Sequence, residues 1–220
     1  MKKILSITLL SVTLSFSALA TVYPFNTAFQ NAGVIPDGSL TGLADTRAIS
    51  GLTSPITSVT VILNISGGYN GDLLAYLSHD GVMIPLLNNV GAPENSSFGY
   101  SNPGFSVTLS DSALASIHDY QTGDINLTGT VTGNWTPDGG QLSDLNGLSG
   151  NGNWTLFFAD TVSSGSPSTL TSWSLDIITA VPEPINVALG VFGGLFLVGS
   201  VCRSERVRKL FGKAAAVPAE

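Results

Sequence analysis

Few side chains in this sequence could act as a general base or a nucleophile. His79 and His118 are its two histidines, and Cys202 is its one cysteine. A serine protease requires a serine, a histidine and an acid brought together beside an oxyanion hole, and no serine here stands in a Gly-x-Ser-x-Gly context. The histidines also lack the close spacing of paired zinc ligands. The sequence therefore predicts no catalytic residue, and it predicts an exposed imidazole for His79, beside the turn Asp80-Gly81.

Aspartates at predicted strand ends are the other chemically capable group. Asp72, Asp80 and Asp160 carry hard carboxylate oxygens of the kind that calcium prefers. A carboxylate in such a place also accepts backbone N–H bonds and ties a turn. No EF-hand or nonapeptide calcium loop is present, so turn stabilisation is the favoured interpretation and calcium the alternative. No other cofactor is predicted, and no pair of carboxylates stands out by its spacing as a glycosidase pair.

The charged residues are distributed unevenly along the chain. Seven of the eight Lys and Arg residues lie near the two ends, which leaves Arg47 as the one such cation of residues 21–180. Twelve Asp and Glu residues share that central region with it. Nucleic-acid backbones are bound by clustered Lys and Arg, so the composition excludes a nucleic-acid partner. Cations and hydroxyl-rich glycans suit this acidity better, although solubility alone also explains it.

The N-terminus has the layout of a secretory signal peptide over residues 1–20. Two lysines precede an apolar stretch that is short for a membrane span, and Ala18 and Ala20 supply the small residues of a cleavage site. We therefore expect residues 21–180 to form one exported domain. That domain contains no cysteine, so its stability has to come from its core or from bound ions.

The C-terminal region has three parts in a fixed order. Pro182, Glu183 and Pro184 come first, and the two prolines fix φ and remove two backbone donors, so no helix or sheet runs cleanly through them. Residues 185–202 follow without a charge; as a helix these 18 residues would measure about 27 Å, near the lower limit for crossing a bilayer. A basic cluster comes next and predicts that residues 210–220 are cytoplasmic.

Between the ends, apolar and polar residues alternate in short runs separated by turn residues, which predicts an all-β domain. Asp80-Gly81 joins two of these runs as a hairpin. The predicted strands are 56–65, 73–78, 82–87, 105–109, 125–131, 153–160 and 169–178. With an edge strand in the less regular stretch 23–42, about eight strands predict a jelly-roll-like β-sandwich of two sheets. Residues 111–117 are expected to form a short helical turn, and residues 88–104 a polar loop too long to be a simple connection.

Several motifs in this domain occur together in one known family. They are Ile35-Pro36-Asp37, Tyr69-Asn70-Gly71-Asp72-Leu73, Gly152-Asn153-Trp154-Thr155-Leu156 and Leu170-Thr171-Ser172-Trp173-Ser174-Leu175. In order and spacing they resemble the P domain, or P/Homo B domain, which follows the catalytic domain of proprotein convertases and bacterial subtilisin-like proteases. The resemblance implies a non-catalytic β-sandwich of that type, and the catalytic domain is not expected in this chain. Trp154 and Trp173 alternate with apolar residues and are expected in the core.

The C-terminal region has a resemblance of its own. Pro-Glu-Pro, an apolar span and a basic cluster make residues 181–209 similar to the PEP-CTERM sorting signal of Gram-negative bacteria. That resemblance implies an exosortase-type protease as a partner and a transient or permanent anchor in the inner membrane. The expected destination is the cell envelope, the outer surface or the extracellular matrix.

Two functional hypotheses follow. In the first, the chain is a non-catalytic exported module that has a binding or structural role, with a surface polysaccharide or another envelope protein as its ligand. In the second, it is an accessory P domain that acts in trans with a subtilisin-like serine endopeptidase.

Overall fold

A computed structural model of the whole chain shows how these elements are arranged. It describes residues 19–93, 98–121, 129–180, 190, 192–196 and 200. The chain divides into two compact units, Met1–Val181 and Pro182–Glu220.

The described part of the first unit contains nine β-strands in two sheets. The strands are β1 (Leu19–Phe25), β2 (Ser39–Ile49), β3 (Ile56–Gly67), β4 (Leu73–His79), β5 (Val82–Asn88), β6 (Phe105–Leu109), β7 (Val131–Trp135), β8 (Gly152–Asp160) and β9 (Ser168–Thr179). One sheet has the order β1-β9-β3-β6-β7 and the other the order β2-β8-β4-β5. Neighbouring strands are antiparallel except for β6 and β7, which are parallel. The prediction of an all-β, two-sheet domain is confirmed.

The core lies between the two sheets and is filled by alternate residues of the central strands. In β3, Val61 and Leu63 are fully buried while Ile62 between them is half-buried, as the alternation predicts. Trp154 of β8 and Trp173 of β9 are also buried, which confirms their expected place in the core. The β-branched and aromatic residues on these strands fit the pleated inner faces, and their burial is the main stabilising contribution to the fold.

The predicted hairpin is also confirmed. Asp80 and Gly81 join β4 to β5 with φ angles of 47° and 81°. Two successive positive φ angles are the requirement of a type I′ turn, which Asp-Gly satisfies at little steric cost.

Other elements differ from the prediction. Strand β2 was not expected, and the edge strand near the N-terminus is β1, which begins at Leu19. The predicted strand 125–131 falls largely outside the described residues, and the strand in this region is Val131–Trp135. The expected helical turn is a 3₁₀ turn at Ile117–Asp119, slightly later in the chain.

The two ends of the chain are described only in part. Ala18 and Pro182 to Pro184 lie outside the described residues, and Ala20 pairs with Ile178 in β1. Most of the predicted span 185–202 is likewise outside them; residues 190, 192–196 and 200 are helical. Within the described part of the chain, no helix is both long and apolar enough to cross a membrane.

The sandwich has two distinct ends, which the strand register defines. At the terminal end, β1 begins beside Thr179, the last residue of β9. At the far end, β9 begins at Ser168 beside the close of β3, and the close of β8 at Asp160 lies beside the start of β4. The two ends are roughly 35 Å apart along β9, at about 3.3 Å per residue.

Candidate functional site

The far end of the sandwich holds a pocket of about 350 Å³. Three loops build its walls: the β3–β4 turn, part of the long loop after β5, and the β8–β9 loop. The lining residues are Tyr69, Asp72, Phe98, Gly99, Tyr100, Ser101, Val162, Ser163 and Ser164.

Backbone contacts fix the first two loops against each other. The amide of Gly71 donates to the carbonyl of Tyr100 over 2.8 Å, and the amide of Asn70 donates to the carbonyl of Asn102 over 2.9 Å. A Cβ atom at Gly71 would collide with the backbone of Gly99. The Tyr-x-Gly-Asp turn therefore needs its glycine so that the two chains can approach this closely.

Two carboxylates lie beside one another at the base of these loops. Asp160 closes β8 directly opposite Leu73, the residue that follows Asp72. Asp160 is fully buried; its Oδ1 accepts from the amide of Val162 over 3.1 Å, whereas its Oδ2 has no hydrogen-bond partner among the described residues. Asp72 lines the pocket but is only 6% exposed, and its Oδ2 is also buried without such a partner.

The electrostatic environment of these carboxylates is unfavourable for negative charge. Burial, followed by the negative charges of Asp160 and Asp37, raises the pKa of Asp72 to about 6. Burial also raises the pKa of Asp160, although backbone amides of Val162 and Gly38 oppose the change. Two like charges in a desolvated place are costly, so this pair attracts a proton or a cation.

Asp37 is the third carboxylate of the region and has a different environment. Its two oxygens accept hydrogen bonds from the β8–β9 loop, including the amides of Ser164 and Gly165 at 3.1 and 3.0 Å. The Gly165 amide makes the largest contribution to lowering the pKa of Asp37, against a smaller opposing effect of desolvation. Asp37 thus stays ionised, holds the loop that forms one wall of the pocket, and adds negative potential to it.

Aromatic rings form the more exposed wall. Tyr69 is 41% exposed and Phe98 is 70% exposed. Tyr100 is held in place behind them by an edge contact with Tyr120, whose ring centre is 4.7 Å away. Aromatic rings, serine hydroxyls and the Asp72 side chain line the same pocket, a combination suited to a ligand that presents C–H faces and hydroxyl groups.

The structure separates the predicted calcium candidates. Asp72 and Asp160 lie together at the far end, whereas Asp80 is exposed in the hairpin at the other end of β4, roughly 25 Å away at about 3.3 Å per residue. Among the described residues, no group of three or more His, Cys, Asp or Glu side chains is placed to hold a metal ion. Asp160 does bind the backbone amide of a turn, as the favoured interpretation predicts.

The prediction of an exposed His79 is wrong. Its side chain is buried, and its ring stacks on Trp154 with centres 3.9 Å apart and planes within 5°. Nδ1 lies 3.0 Å from the carbonyl of Asn153, and Nε2 lies 2.6 Å from the carbonyl of Ser149. His79 is the last of the alternate residues of β4 that face the core. The alternation of the strand therefore determines its burial, although a position beside a turn suggests exposure.

His118 makes a hydrogen-bonded pair with an acid, but not one that activates a nucleophile. Its Nδ1 lies 2.8 Å from Oδ2 of Asp138, and its Nε2 lies 3.2 Å from the carbonyl of Ala92. In a catalytic triad that second nitrogen faces a serine hydroxyl. Desolvation opposes the charged imidazole, but the hydrogen bond and charge of Asp138 outweigh it and raise the pKa of His118. This pair ties the loop after β5 to the segment around Asp138.

Some residues of the pocket were not predicted from the sequence. Phe98 and Tyr100 belong to the loop 88–104, and its length is the one feature of the sequence that indicates a role beyond a simple connection. Ser163 and Ser164 lie in a stretch that reads as an ordinary Ser- and Gly-rich linker. Nothing local indicated that the two loops meet over Asp72.

Comparison with known proteins gives little further guidance. No protein-family model and no curated protein matches the chain. Solved structures that are similar to it include the Aeromonas sobria serine protease in complex with its chaperone, at 19% identity and a TM-score of 0.45, and the serine protease of Aeromonas sobria, at 20% identity and a TM-score of 0.44. Each alignment covers 76% of this chain and 28% of the other. At these scores the likeness is too distant to assign a family or a function.

Proposed function

We propose that this chain is a non-catalytic binding module that is exported, sorted to the cell envelope or extracellular matrix through an exosortase-type system, and binds a surface polysaccharide in the far-end pocket. The observation that supports the proposal is the combination of exposed aromatic rings with a carboxyl group of strongly perturbed pKa in one concavity. A titratable group whose pKa is perturbed by burial and by neighbouring charges, and which lies in a cleft, is a candidate functional residue.

Binding explains this pocket better than catalysis. Glycoside hydrolysis requires two carboxyl groups that both reach the substrate from opposite sides of the bond. Here Asp72 lines the pocket, but Asp160 is fully buried behind it and cannot reach a sugar. Proteolysis would need an activated serine, and both nitrogens of His79 and of His118 lie against other groups.

The charge of the pocket restricts the ligand class. Asp72, Asp160 and Asp37 all contribute negative potential, and Arg47 is committed to Asp45 by a 2.8 Å ion pair. As long as no cation is bound there, phosphorylated and strongly anionic ligands are therefore disfavoured. A neutral or amino-sugar polysaccharide fits, because its C–H faces can pack on Tyr69 and Phe98 while its hydroxyls donate to Asp72.

Capture by immobilised envelope polysaccharide tests the proposal. The purified full chain in detergent should bind, Tyr69→Ala and Phe98→Ala should lose most of the capture, and Met83→Ala should bind like the wild type. Met83 is the matched control because its side chain is also exposed, at 66%, but it lies far from the pocket. It belongs to β5, next to the hairpin at the terminal end of the sandwich. Equal capture of all four chains would exclude the pocket as the site.

A second measurement separates the two functional hypotheses. The full chain should not cleave casein, with or without a serine-reactive inhibitor. Recovery of a subtilisin-like protease from envelope extracts, together with no capture by polysaccharide, would favour the accessory role instead.

A further inference from the structure

We propose that Asp72 and Asp160 together hold a divalent cation of the calcium type beneath the far-end pocket. The inference goes beyond the proposed function, because such an ion would bind whether or not the pocket recognises a polysaccharide.

The first observation is a pair of buried carboxylate oxygens that lack partners. Oδ2 of Asp72 and Oδ2 of Asp160 are both inaccessible, and neither has a partner within hydrogen-bonding geometry among the described residues. The Gly38 amide lies close enough to Asp160 to lower its pKa, but it does not complete a hydrogen bond to this Oδ2. Asp160 is fully buried and Asp72 is 94% buried. Buried carboxylates are normally paired, hydrogen-bonded or bound to a metal ion, because an isolated buried charge is costly.

The second observation is that the two oxygens belong to adjoining strands. Asp160 is paired in register with Leu73, and the carbonyl of Asp72 accepts from the amide of Thr161 over 2.8 Å. The backbone on both sides of the two carboxylates is therefore fixed. The negative charge of Asp160 contributes to the raised pKa of Asp72, as expected for two carboxylates that lie near one another.

The third observation concerns compensation. Arg47, the one Lys or Arg of residues 21–180, lies 2.8 Å from Asp45 and is engaged there. Asp37 is anionic and bonds the β8–β9 loop, so it adds to the negative potential. A cation from solution would offset charge that the domain itself leaves uncompensated.

The available ligands favour calcium over other divalent ions. Calcium accepts six to eight oxygens in flexible geometry and takes backbone carbonyls and water beside one or two carboxylates. Magnesium requires a more regular octahedron, and zinc prefers His and Cys ligands, which this location does not present. Only two acidic side chains would contribute directly, with backbone oxygens and water completing the shell.

The consequence of such an ion would be structural support for the pocket. Asp72 belongs to the β3–β4 turn and Asp160 precedes the β8–β9 loop, and these are two of the three pocket walls. One ion would therefore fix both loops in a domain that has no disulfide.

Thermal unfolding of the full chain provides the main test. We expect the melting temperature to be about 5 °C higher in millimolar CaCl₂ than in a chelator, the size of shift expected for a domain of this length when calcium is present at about 100 times its Kd. Asp72→Asn and Asp160→Asn should lose this shift, while Asp80→Asn should keep it. Equal melting temperatures with calcium and chelator in the wild type would overturn the proposal, as would a full shift in both site variants.

Terbium luminescence provides a readout that does not depend on stability. Tyr69 and Tyr100 line the pocket above the two carboxylates and can transfer excitation to a Tb³⁺ ion held there. The wild type and Asp80→Asn should show emission that calcium displaces, and Asp72→Asn should not. If Asp160→Asn fails to fold, these three chains still decide the matter, and undiminished emission from Asp72→Asn would refute the site. No polysaccharide is present in either assay, so failure here leaves the proposed function standing.

Discussion

Replacement of Arg47 by methionine tests how this domain is held together without a disulfide. Nε of Arg47 donates to Oδ2 of Asp45 over 2.8 Å, and its guanidinium also donates to the carbonyl of Thr27 over 2.6 Å. The same Asp45 oxygen accepts from the indole of Trp173 over 2.6 Å. Asp45 is on β2 and Trp173 is on β9, so this carboxylate links the two sheets. Arg47 supplies the positive charge that makes its burial tolerable.

The magnitude of the effect follows from burial. Asp45 is only 6% exposed, and removing one partner of a buried ion pair typically costs about 3 to 5 kcal/mol. The side chain of Arg47 is 20% exposed, which places this pair near the lower value. Its guanidinium also lies 5.4 Å from the ring centres of Phe25 and Phe29, and each such contact is worth about 0.5 kcal/mol or more. We expect Arg47→Met to lower the free energy of unfolding by about 3 to 4 kcal/mol.

Urea denaturation of the full chain, followed by the fluorescence of its buried tryptophans, measures this loss. Arg47→Lys should retain part of the stability because it keeps the charge but not the guanidinium geometry. Ala48→Ser, on the exposed face of β2, is the matched control and should stay within about 0.5 kcal/mol of the wild type. Combining Arg47→Met with Asp45→Asn should cost at least about 1 kcal/mol less than the sum of the single changes. A loss below about 0.5 kcal/mol for Arg47→Met, or strict additivity, would refute this reasoning.

Further predictions concern the remaining contacts of the far end and the core. Because Asp138 raises the pKa of His118, their pair should stabilise the fold fully below pH 6.5, the ordinary pKa of histidine, and lose that contribution as the pH rises through the higher folded pKa. A profile of unfolding free energy against pH should show this fall in the wild type. An identical fall in His118→Gln would contradict the assignment. Gly71→Ala should destabilise the chain by about 2 kcal/mol or more in urea titrations because its Cβ meets the backbone of Gly99, and wild-type stability would show that the loops separate freely. Trp154→Ala should cost about 3 to 5 kcal/mol, since the ring is fully buried; a loss under about 1 kcal/mol in the same titrations would contradict its place in the core.

Local patterns were sufficient to predict much of this fold. Strand β3 alternates cleanly, and Asp80-Gly81 specifies its hairpin through backbone conformation alone. Strand β2 could not be recognised in the same way, because its inward row includes Asp45 and Arg47. The burial of this pair is satisfied in the fold by the Trp173 indole of β9 and the carbonyl of Thr27, which the local pattern does not reveal. Period-two patterns assume an apolar inner face, which this strand does not have.

The candidate site could be predicted only in part, for a related reason. Asp72 and Asp160 were identified because each stands at a strand end, but their proximity depends on the pairing of β4 with β8 across about ninety residues of sequence. The aromatic wall depends on a loop that reaches the same place from elsewhere in the chain. In the sequence, Asp80 resembles Asp72 and Asp160, because it also stands at the end of a strand. Strand β4 runs from the far end to the terminal end of the sandwich, so Asp72 before it and Asp80 after it lie at opposite ends.

The most direct test of the central claim is the affinity of the full chain for envelope polysaccharide, measured for Tyr69→Ala and Met83→Ala under the same conditions. An aromatic anchor in a binding pocket is worth about 2 kcal/mol or more, so we predict a Kd roughly 30-fold higher for Tyr69→Ala and an unchanged Kd for Met83→Ala. Equal affinities of the two variants, or no binding by the wild-type chain, would contradict the account.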